Sequence, residues 1–502
     1  MSGKVYLVGA GPGDPGLLTL KGKRLLERAD CVVYDFLVNE ALLNHTRQDC
    51  ERIFAGKRSG RHSMAQEEIN RLLAERACAG RCVVRLKGGD PFIFGRGGEE
   101  AAELARAGIP FEIVPGVSTG IGAPAYAGIP LTHRALSSSV RFLTGHEQAG
   151  TEETPLTHNP SAHETLVFFM GARNLGEIAS TLIRQGCDAS TPAAIIRWGT
   201  TPDQQVVTAP LSEIAARAVG LHPPALAIIG EVVKLRQQLA WFEKLPLFGK
   251  RIVITRAKGQ AAPLSDMLIE RGAQPVEIPT IELHDPPSWE PADAAIRRIE
   301  QFDCLLVTSA NGVRKFMARV AAAGRDARCL KGVEIGAIGP ATAAEFSHYG
   351  VRVDFTALEY RAEGLLDALA DRDVSRKSFL IPRARVARDL VPRVLRERGA
   401  RVEVVEAYYA AAPDYRPDDL EALLTPTPHV ITFTSSSTAK NFRRLPIPPG
   451  LHPKLQNVRI ASIGSVTSET LRGLGMKVDI EAVESTIPGL VEAMEDYFRN
   501  LS

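Results

Sequence analysis

The chain has 502 residues, and at the usual size of roughly 100–200 residues per domain this length predicts about three or four domains. Hydrophobic residues make up 45% and charged residues 24%, which excludes a disordered chain, a collagen-like repeat and a coiled-coil rod. The 60 Lys and Arg against 58 Asp and Glu give a net charge of +2, so we expect no bulk affinity for nucleic acid or for an anionic membrane.

The seven cysteines predict a reducing compartment. Their number is odd and no two are spaced as CxxC, so neither a disulfide framework nor a thiolate zinc site is indicated. The first residues run into an apolar strand and a glycine turn without the layout of a signal peptide, and no apolar run reaches transmembrane length. We therefore expect a soluble, cytoplasmic protein without a metal centre.

Apolar strands alternate with helical stretches along the first half of the chain. VYLVGA (5–10), CVVYD (31–35), RCVVRL (81–86) and FEIVPG (111–116) predict strands, and after a polar stretch at 151–165 strands resume at TLVFFMG, AAIIRWGT and ALAIIGEVV. This alternation predicts an α/β fold with parallel sheets. The composition changes around Pro246, ahead of the fresh strand RIVITR, so we place a domain boundary near residue 245.

An internal repeat follows that boundary. Residues 334–354 and 459–479 align at an offset of 125 residues, which also pairs Gly364 with Gly489. The repeat predicts two similar α/β lobes with a ligand between them. Because a strand precedes the first copy, we expect one lobe to be inserted into the other.

The turn GAGPGDPG (9–16) permits two interpretations. Glycines between a strand and a helix let a ligand approach the backbone, and a helix N-terminus favours anions. As a dinucleotide fingerprint the turn departs from GxGxxG, and Pro12 and Pro15 remove two N–H donors, although Asp35 could bind a ribose hydroxyl. An NAD-dependent oxidoreductase is therefore an alternative for this half.

A second glycine-rich block, RLKGGDPFIFGRGGEE (85–100), carries charge. A tight turn and a capped helix explain its glycines and Asp90 but not Lys87 and Arg96. GKRSGRH (56–62) and VPGVSTGIGAPAYAGIPLTHR (114–134) add further basic residues beside turns. Together these turns predict a cleft for an anion at the ends of parallel strands.

These blocks, with VVYD, TGH (144–146) and FMG (169–171), closely resemble the uroporphyrinogen-III C-methyltransferase family of tetrapyrrole methylases over about residues 3–245. The resemblance implies two α/β domains, about 1–115 and 116–245, that hold S-adenosylmethionine between them and release S-adenosylhomocysteine. It implies methylation of uroporphyrinogen III at positions 2 and 7, through precorrin-1 to precorrin-2. The positions that line the cofactor site in the family are Pro12, Gly88, Gly89, Asp90, Ile93, Ser118, Thr119, Met170 and Gly199.

The same resemblance implies roles for charged residues. Asp35 aligns with a proton acceptor and Lys57 with a proton donor. Arg96, Glu99 and Arg134 align with residues of substrate binding and proton handling, which suits a substrate rich in carboxylates. We favour Asp35 as the base, because an arginine such as Arg96 is nearly always protonated.

The dehydrogenase and ferrochelatase domain of the fuller sirohaem synthase arrangement does not precede these motifs, so we expect precorrin-2 as the end product of this half. A related methylase acting on another corrinoid is a nearer alternative than the oxidoreductase. A homodimer through the methyltransferase half is a further implication of the family resemblance.

Residues 246–502 resemble uroporphyrinogen-III synthase, through LFGKRIVITR, TSANGV (308–313), IGPATA (338–343), VEAYYAAAP and FTSSST (433–438). The resemblance implies one lobe of about 246–282 plus 412–502 and another of about 283–411. These lobes would bind hydroxymethylbilane and close it to uroporphyrinogen III with inversion of ring D. A non-catalytic tetrapyrrole-binding module is the alternative for this half.

The second half carries hydroxyl groups at its predicted strand ends. Thr308, Ser309, Ser435 and Ser436 would donate to substrate carboxylates, although helix capping explains them equally well. Tyr408 best matches the family tyrosine that assists hydroxyl loss, with Tyr409 as the neighbouring alternative. The two halves together predict a bifunctional enzyme that makes uroporphyrinogen III and then methylates it.

Overall fold

The computed structural model describes residues 3–56, 64–145, 161, 163–359 and 361–501. The chain forms two compact units. The first unit comprises residues 1–251, 266–275 and 494–502, and the second unit comprises residues 252–265 and 276–493. Within the described part of the chain, no helix is both long and apolar enough to cross a membrane.

The first sheet of the first unit has the strand order β3-β2-β4-β1-β5, and every neighbouring pair is parallel. Its strands are β1 Lys4–Gly9, β2 Cys31–Tyr34, β3 Glu51–Phe54, β4 Cys82–Lys87 and β5 Phe111–Val114, with helices α1 Leu20–Arg28, α2 Gln66–Cys78 and α3 Gly97–Arg106. The apolar runs of β1, β2 and β4 are largely buried on both faces, as parallel strands covered by helices require. The turns that follow β1, β2, β4 and β5 therefore meet at one edge.

The second sheet of this unit has the order β6-β7-β10-β8-β9. Its strands are β6 Ser139–Thr144, β7 Glu164–Phe169, β8 Pro192–Arg197, β9 Gln205–Pro210 and β10 Ala225–Ile229, with helices α4 Thr119–Tyr126, α5 Leu175–Arg184, α6 Ile214–Arg217 and α7 Arg236–Leu239. The predicted parallel arrangement is wrong here, since β6 and β7 are parallel but β10 runs antiparallel to β7 and β8, and β9 antiparallel to β8. The link between β8 and β9 is too short for the crossover that parallel strands need.

Two further sheets follow, with the orders β12-β11-β19-β20-β21 and β13-β18-β17-β14-β15-β16. The strands of the former are β11 Arg251–Ile254, β12 Gln274–Glu277, β19 Val430–Phe433, β20 Arg459–Ser462 and β21 Ile480–Glu481. The strands of the latter are β13 Glu282–His284, β14 Cys304–Val307, β15 Glu334–Ala337, β16 Phe355–Thr356, β17 Ser378–Ala384 and β18 Arg401–Ala411. All strands of the latter sheet thus lie, in chain order, between β12 and β19.

The helices of this part of the chain pack against these two sheets. They are α8 Lys258–Glu270, α9 Glu290–Arg297, α10 Ala310–Ala322, α11 Pro340–Ser347, α12 Ala362–Asp367, α13 Leu390–Glu397, α14 Pro417–Leu424, α15 Ser436–Phe442, α16 His452–Leu455, α17 Ser465–Gly473 and α18 Ile487–Arg499. The buried side chains of the two sheets form separate apolar clusters.

The predicted repeat is confirmed down to single hydrogen bonds. Strands β15 and β20 coincide at the offset of 125 residues, and helices α11 and α17 start at the same offset. In the first copy a carboxylate oxygen of Asp354 accepts from the backbone N–H of Ile335 at 2.7 Å, and Asp479 accepts from Ile460 at 3.1 Å in the second. The aspartates therefore recur because each fixes the start of an equivalent strand.

Candidate active sites

At the carboxyl edge of the first sheet, the backbone of Gly9, Gly11, Gly89 and Gly116 forms a surface without side chains, here called the backbone floor. The N–H of Gly89 donates to the carbonyl of Gly11 at 2.7 Å, and the N–H of Gly11 donates back to Gly89 at 3.2 Å. A Cβ atom on Gly116 would lie 2.4 Å from the Gly89 carbonyl oxygen and 2.7 Å from the Cα of Gly9, closer than any side chain can approach. Only glycine fits at this crossing of strand ends, which leaves an edge without side chains where a ligand can reach peptide groups.

Asp90 holds two of these turns together. One of its carboxylate oxygens accepts from the N–H of Phe92 at 2.8 Å, and the other accepts from the N–H of Gly116 at 3.0 Å. The capped-turn interpretation of Asp90 is thus correct for its side chain. Its part in cofactor binding stays a prediction.

Several residues predicted to line the cofactor site lie around the start of α4. Ser118 caps this helix by accepting from the N–H of Gly120 at 3.3 Å, and Thr119 is its first residue. A Cβ on Gly122 would lie 2.6 Å from Pro12, a Cβ on Gly199 would lie 2.4 Å from that of Ala123, and a Cβ on Gly89 would lie 3.2 Å from Oγ1 of Thr119. On the other side of the turn after β4, a Cβ on Gly88 would lie 2.9 Å from the Cβ of Leu37.

Asp14 joins the glycine turn at 9–16 to α4 and to the loop after β8 by hydrogen bonds. The Tyr126 hydroxyl donates to its carboxylate at 2.5 Å, and its own N–H donates to Oγ1 of Thr200 at 3.1 Å. Helix α1 begins only at Leu20, beyond a short 3-10 turn at Pro15–Leu17. A dinucleotide fold places its helix directly after the glycine turn, so this geometry does not favour the NAD-binding alternative.

Strained backbone is concentrated in the loops around this edge. Of the six non-glycine residues with positive φ in the described chain, five lie here: Phe94, Arg96, Met170, Trp198 and Thr200. Such conformations disfavour side chains and persist where the surrounding structure enforces them, which is common at binding sites.

Large apolar side chains on the same loops remain exposed. They are Phe36, Leu37, Phe92, Ile93, Phe94 and Met170, of which Met170 is 50% and Ile93 37% exposed. The rings of Phe94 and Phe169 lie 4.9 Å apart, and those of Phe36 and Trp198 lie 6.2 Å apart. An apolar rim thus borders the backbone floor, as a flat ring ligand would require.

A network of buried charges lies behind Asp35. Arg85 of β4, whose side chain is 3% exposed, donates to Asp35 at 2.5 Å and to Glu100 of α3 at 3.2 Å. Lys87 donates to the same oxygen of Glu100 at 2.8 Å, and Gln66 of α2 donates to it at 3.1 Å. The Asp35 side chain is 30% exposed, so it is the member of the network that reaches the open edge.

Lys87 is buried between charged neighbours. Its enclosure and the neighbouring Arg85 lower the pKa of the Lys87 ammonium from its ordinary value. The other carboxylate oxygen of Glu100 is buried and makes no hydrogen bond to the described residues. The charge of Lys87, which a tight turn leaves unexplained, is thus paired with Glu100.

Sequence reasoning missed Arg85 and Glu100. The signal that points to Arg85 is its alternation with Lys87 in an otherwise apolar central strand, which puts both charges on the face towards α2 and α3. A charge in such a position needs a buried partner. Nothing in the sequence singles out Glu100 from Glu99, since both are acids in the first turn of the same helix.

The remaining charged candidates lie apart from this network. Arg96 and Glu99 form an ion pair at 2.6 Å with both side chains more than half exposed, and this pair lowers the pKa of Glu99. Arg134 is exposed in the loop after α4. Lys57 lies outside the described residues.

In the second unit, hydroxyl groups gather at the end of β14. Ser309 caps α10 by accepting from the N–H of Gly312 at 3.0 Å, and its Oγ lies 3.0 Å from the Tyr408 hydroxyl. Tyr408 is 8% exposed, and Thr308 beside Ser309 is half-buried. The structure thus brings Ser309 and Tyr408 together, and Thr308 precedes Ser309 in the chain.

Tyr409 lies in a different environment. The guanidinium of Arg385 lies 4.3 Å from its ring centroid, and the ring of His284 stacks on it at 5.2 Å. Its aromatic face is therefore covered by neighbours, whereas the hydroxyl of Tyr408 is held by Ser309.

The predicted hydroxyls of the other sheet contact helix groups. Ser435 caps α15 by accepting from the N–H of Thr438 at 3.3 Å, and Ser436 lies 2.7 Å from the hydroxyl of Thr470 in α17. Capping is confirmed for Ser309 and Ser435. No group of three or more His, Cys, Asp or Glu that could hold a metal ion occurs within the residues that the structure describes.

Two family models match the chain in succession. The model for tetrapyrrole (corrin/porphyrin) methylases matches residues 4–215, and the model for uroporphyrinogen-III synthase HemD matches residues 262–492. A solved structure of a uroporphyrin III C-methyl transferase from Thermus thermophilus is 45% identical, covering 46% of this chain and 100% of that chain with a TM-score of 0.40.

Curated relatives match either the whole chain or its first half. The sirohaem synthase of Pseudomonas putida strain W619 is 53% identical over 243 residues, 48% of this chain, and the chain spans about half (52%) of that relative's length. The porphyrin biosynthesis protein HemD of Ruminiclostridium josui is 36% identical over 499 residues, which covers 98% of this chain and 97% of that protein. The chain therefore belongs to the HemD family of porphyrin biosynthesis proteins and joins a tetrapyrrole methylase region to a uroporphyrinogen-III synthase region.

Proposed function

We propose that the chain is a bifunctional enzyme of tetrapyrrole biosynthesis. Its second region cyclises hydroxymethylbilane to uroporphyrinogen III with inversion of ring D, and its first region methylates that product at positions 2 and 7, through precorrin-1 to precorrin-2. The observation that carries the proposal is that each region matched by a family model contains a candidate site of its own. In the first region Asp35 lies beside the backbone floor, and in the second Ser309 holds the hydroxyl of Tyr408.

The first edge fits S-adenosylmethionine. Glycines 9, 11, 89 and 116 leave peptide groups accessible where side chains would clash. The exposed apolar residues Ile93 and Met170 border them, and Met170 has a positive φ. The residues that would hold the cofactor are those predicted, with Pro12, Gly88, Gly89, Asp90, Ser118, Thr119 and Gly199 contributing backbone and Ile93 and Met170 contributing apolar contact. When bound, this cofactor supplies an electrophilic methyl group on a sulfonium.

Asp35 is the base in this proposal. After a macrocycle carbon gains a methyl group, the adjoining carbon skeleton must lose a proton, and a fixed carboxylate can accept it. Arg85 holds one oxygen of Asp35, while the other oxygen makes no hydrogen bond to the described residues. Lys57 as proton donor, Arg96 as a further catalytic residue, and Glu99 and Arg134 as substrate-binding residues complete the assignment.

In the second region, the Tyr408 hydroxyl assists departure of water from the substrate carbinol. Ser309 orients that hydroxyl, which is a neutral donor in a nearly closed environment. Thr308, Ser435 and Ser436 are the further donors to substrate carboxylates in this proposal.

The proposal extends to organisation. The methyltransferase comprises residues 1–245, divided near residue 115, and the synthase comprises residues 246–502, with lobes of about 246–282 plus 412–502 and 283–411. We propose a homodimer through the methyltransferase, which light scattering of the purified chain tests. We also propose a cytoplasmic location, supported by the free thiols of all seven cysteines.

One coupled assay tests both activities. The purified chain is supplied with hydroxymethylbilane, with and without S-adenosylmethionine, and products are separated by isomer and mass. Isomer III without the cofactor and a dimethylated product with it are expected. Isomer I alone, at the spontaneous rate, would overturn the synthase activity, and unmethylated uroporphyrinogen III in the presence of the cofactor would overturn the methyltransferase activity.

A further inference from the structure

Arg256 lies at the carboxyl edge of the sheet that holds β11 and β19. In the parallel pairing of these strands Ile254 is opposite Thr432, so Arg256, two residues further on, is level with residue 434. Ser435 and Ser436 follow the end of the neighbouring strand β19, as the cap and the first residue of α15. Arg256 therefore lies beside residues that the proposed function assigns to carboxylate binding.

The guanidinium of Arg256 lacks a counter-charge. Its Nε is enclosed and makes no hydrogen bond, and no ion pair joins Arg256 to any acid in the described part of the chain. Several other arginines of the second unit are paired, as Arg319 is with Asp293 at 2.5 Å and Arg314 with Glu345 at 2.8 Å. Burial lowers the pKa of Arg256, with no acidic neighbour to oppose it.

A half-buried cation without a partner is unfavourable in a folded protein, since it loses part of its hydration and gains no ion pair. We therefore infer that Arg256 does not stabilise the fold and instead binds an external anion. The planar fork of a guanidinium matches a carboxylate in particular, because two parallel N–H groups can donate to its two oxygens.

The position of Arg256 also relates it to the tyrosine site. Helix α8 starts two residues after Arg256, and Gln260 in its first turn donates to Oδ1 of Asn311 at 3.5 Å. Asn311 belongs to the first turn of α10, which Ser309 caps while contacting Tyr408. Helix α8, which follows Arg256, and helix α10, which Ser309 caps, therefore meet at their first turns.

We propose that Arg256 binds one carboxylate of the linear tetrapyrrole substrate at this carboxyl edge. The inference rests on the proposed synthase function for the class of ligand, but not for the presence of an anion site. Arg256 is a binding residue in this assignment, so its removal weakens substrate binding without removing the group that assists hydroxyl loss.

The test compares Arg256→Met and Arg256→Lys with a matched control, Arg444→Met. Arg444 is exposed beyond the C-terminus of α15, so its variant makes the same charge change away from the carboxyl edge. Three quantities are measured on the full chain: the KM for hydroxymethylbilane from initial formation of isomer III, the Kd for uroporphyrin III by fluorescence titration, and the midpoint of thermal unfolding.

For Arg256→Met we expect KM and Kd to rise about 10- to 100-fold, the range for a lost hydrogen bond to a charged group, with an unchanged or higher unfolding midpoint. We expect Arg256→Lys to retain part of the affinity and Arg444→Met to match the wild type. A KM and Kd equal to those of Arg444→Met would overturn the proposal, as would a lowered midpoint with unchanged Kd.

The proposed function and this inference fail separately. Wild-type protein that forms only isomer I would overturn the synthase activity. The difference in the Kd for uroporphyrin III between Arg256→Met and Arg444→Met, which share an unchanged first region, would then decide the anion site. Wild-type protein that forms isomer III while Arg256→Met retains its KM and Kd would overturn the role of Arg256 and leave the synthase standing.

Discussion

The two units bury polar residues of different kinds. In the first unit Arg85, Lys87 and Glu100 are each less than 4% exposed and lie behind the candidate base. In the second unit the buried polar side chains of the described residues are all hydroxyls, namely Thr255, Thr280, Thr342, Thr432, Thr438, Ser462, Thr467 and Ser468. A reaction that transfers a methyl cation and then a proton benefits from fixed charge, whereas loss of water from a carbinol can be assisted by neutral donors.

Backbone strain divides the units in the same way. The loops of the first candidate site hold Phe94, Arg96, Met170, Trp198 and Thr200 at positive φ, while Arg376 is the sole non-glycine residue of this kind among the described residues of the second unit. The packing around the first site thus holds its loops in unfavourable backbone conformations, whereas the second site consists of strand ends and helix caps with ordinary backbone conformations. Variants in the two units should therefore fail in different ways.

The largest effect is expected from Glu100→Gln. This change leaves Arg85 and Lys87 buried with one negative partner fewer, and breaking such a buried arrangement destabilises by about 3–5 kcal/mol. Unfolding by urea, followed by fluorescence of the full chain, measures the loss.

The double variant Glu100→Gln with Lys87→Met is the control, because it removes one charge of each sign. It should regain most of the lost stability, since replacing a buried ion pair by apolar groups is often neutral. If the double variant is as unstable as Glu100→Gln alone, charge balance does not stabilise the network. Buried charge would then not distinguish the first unit from the second in stability.

Gly116→Ala tests the backbone floor. The added Cβ would lie 2.4 Å from the Gly89 carbonyl oxygen, so the turns after β4 and β5 must separate. We expect the affinity for S-adenosylhomocysteine, measured by isothermal titration calorimetry, to fall more than about tenfold, or about 1.4 kcal/mol.

Gly98→Ala provides the matched control in the same region. A Cβ on Gly98 meets nothing within 4 Å, and its place in α3 favours alanine by up to about 1 kcal/mol. Unchanged affinity in Gly116→Ala, together with unchanged affinity in Gly98→Ala, would show that the close approach of the turns does not shape the ligand site.

How far the sequence predicts these features depends on whether they are local. The glycine turns, the strands of the first sheet and the repeat of β15 and β20 follow from short-range patterns, and so does the capping by Ser309 and Ser435. The antiparallel pairing of β10 does not, because its apolar run suits a parallel neighbour equally well. Nor does the role of Glu100, since the contacts that distinguish it from Glu99 come from strand β4 and helix α2.

Tyr408→Phe tests whether the uncharged hydroxyl of Tyr408 assists the loss of water in the second unit. The change removes the hydroxyl that Ser309 holds, and we expect kcat for isomer III formation to fall about 10- to 100-fold. The midpoint of thermal unfolding should move little, because one hydrogen bond contributes only about 1 kcal/mol.

Tyr409→Phe is the paired control, since it keeps the ring that contacts Arg385 and His284. Its kcat should match that of the wild type. A fall in kcat for Tyr409→Phe with none for Tyr408→Phe would transfer the assignment to the neighbouring tyrosine.

The smallest effect is expected from removing a surface charge of the first unit. It tests whether the charges of this unit stabilise it because they are buried or simply because they are charged. Glu112 of β5 pairs with Lys4 at 2.6 Å and also with Lys21, and hydrogen bonds from these two lysines lower the pKa of Glu112 to about 2. A carboxylate with a lowered pKa stabilises the fold above its ordinary pKa of about 4.3, and that contribution is lost as the pH falls towards 2. Surface pairs contribute little, so Glu112→Gln should lower the unfolding midpoint by no more than about 3 °C at pH 7.

The difference between wild type and Glu112→Gln should shrink as calorimetric scans move from pH 7 to below pH 4. The exposed pair of Glu103 and Arg106 supplies the comparison, and Glu103→Gln should change the midpoint less, because Glu103 has one basic partner where Glu112 has two. A loss for Glu112→Gln as large as that for Glu100→Gln would mean that exposed and buried charges stabilise the first unit alike. Burial would then no longer explain why charge matters more in the first unit than in the second.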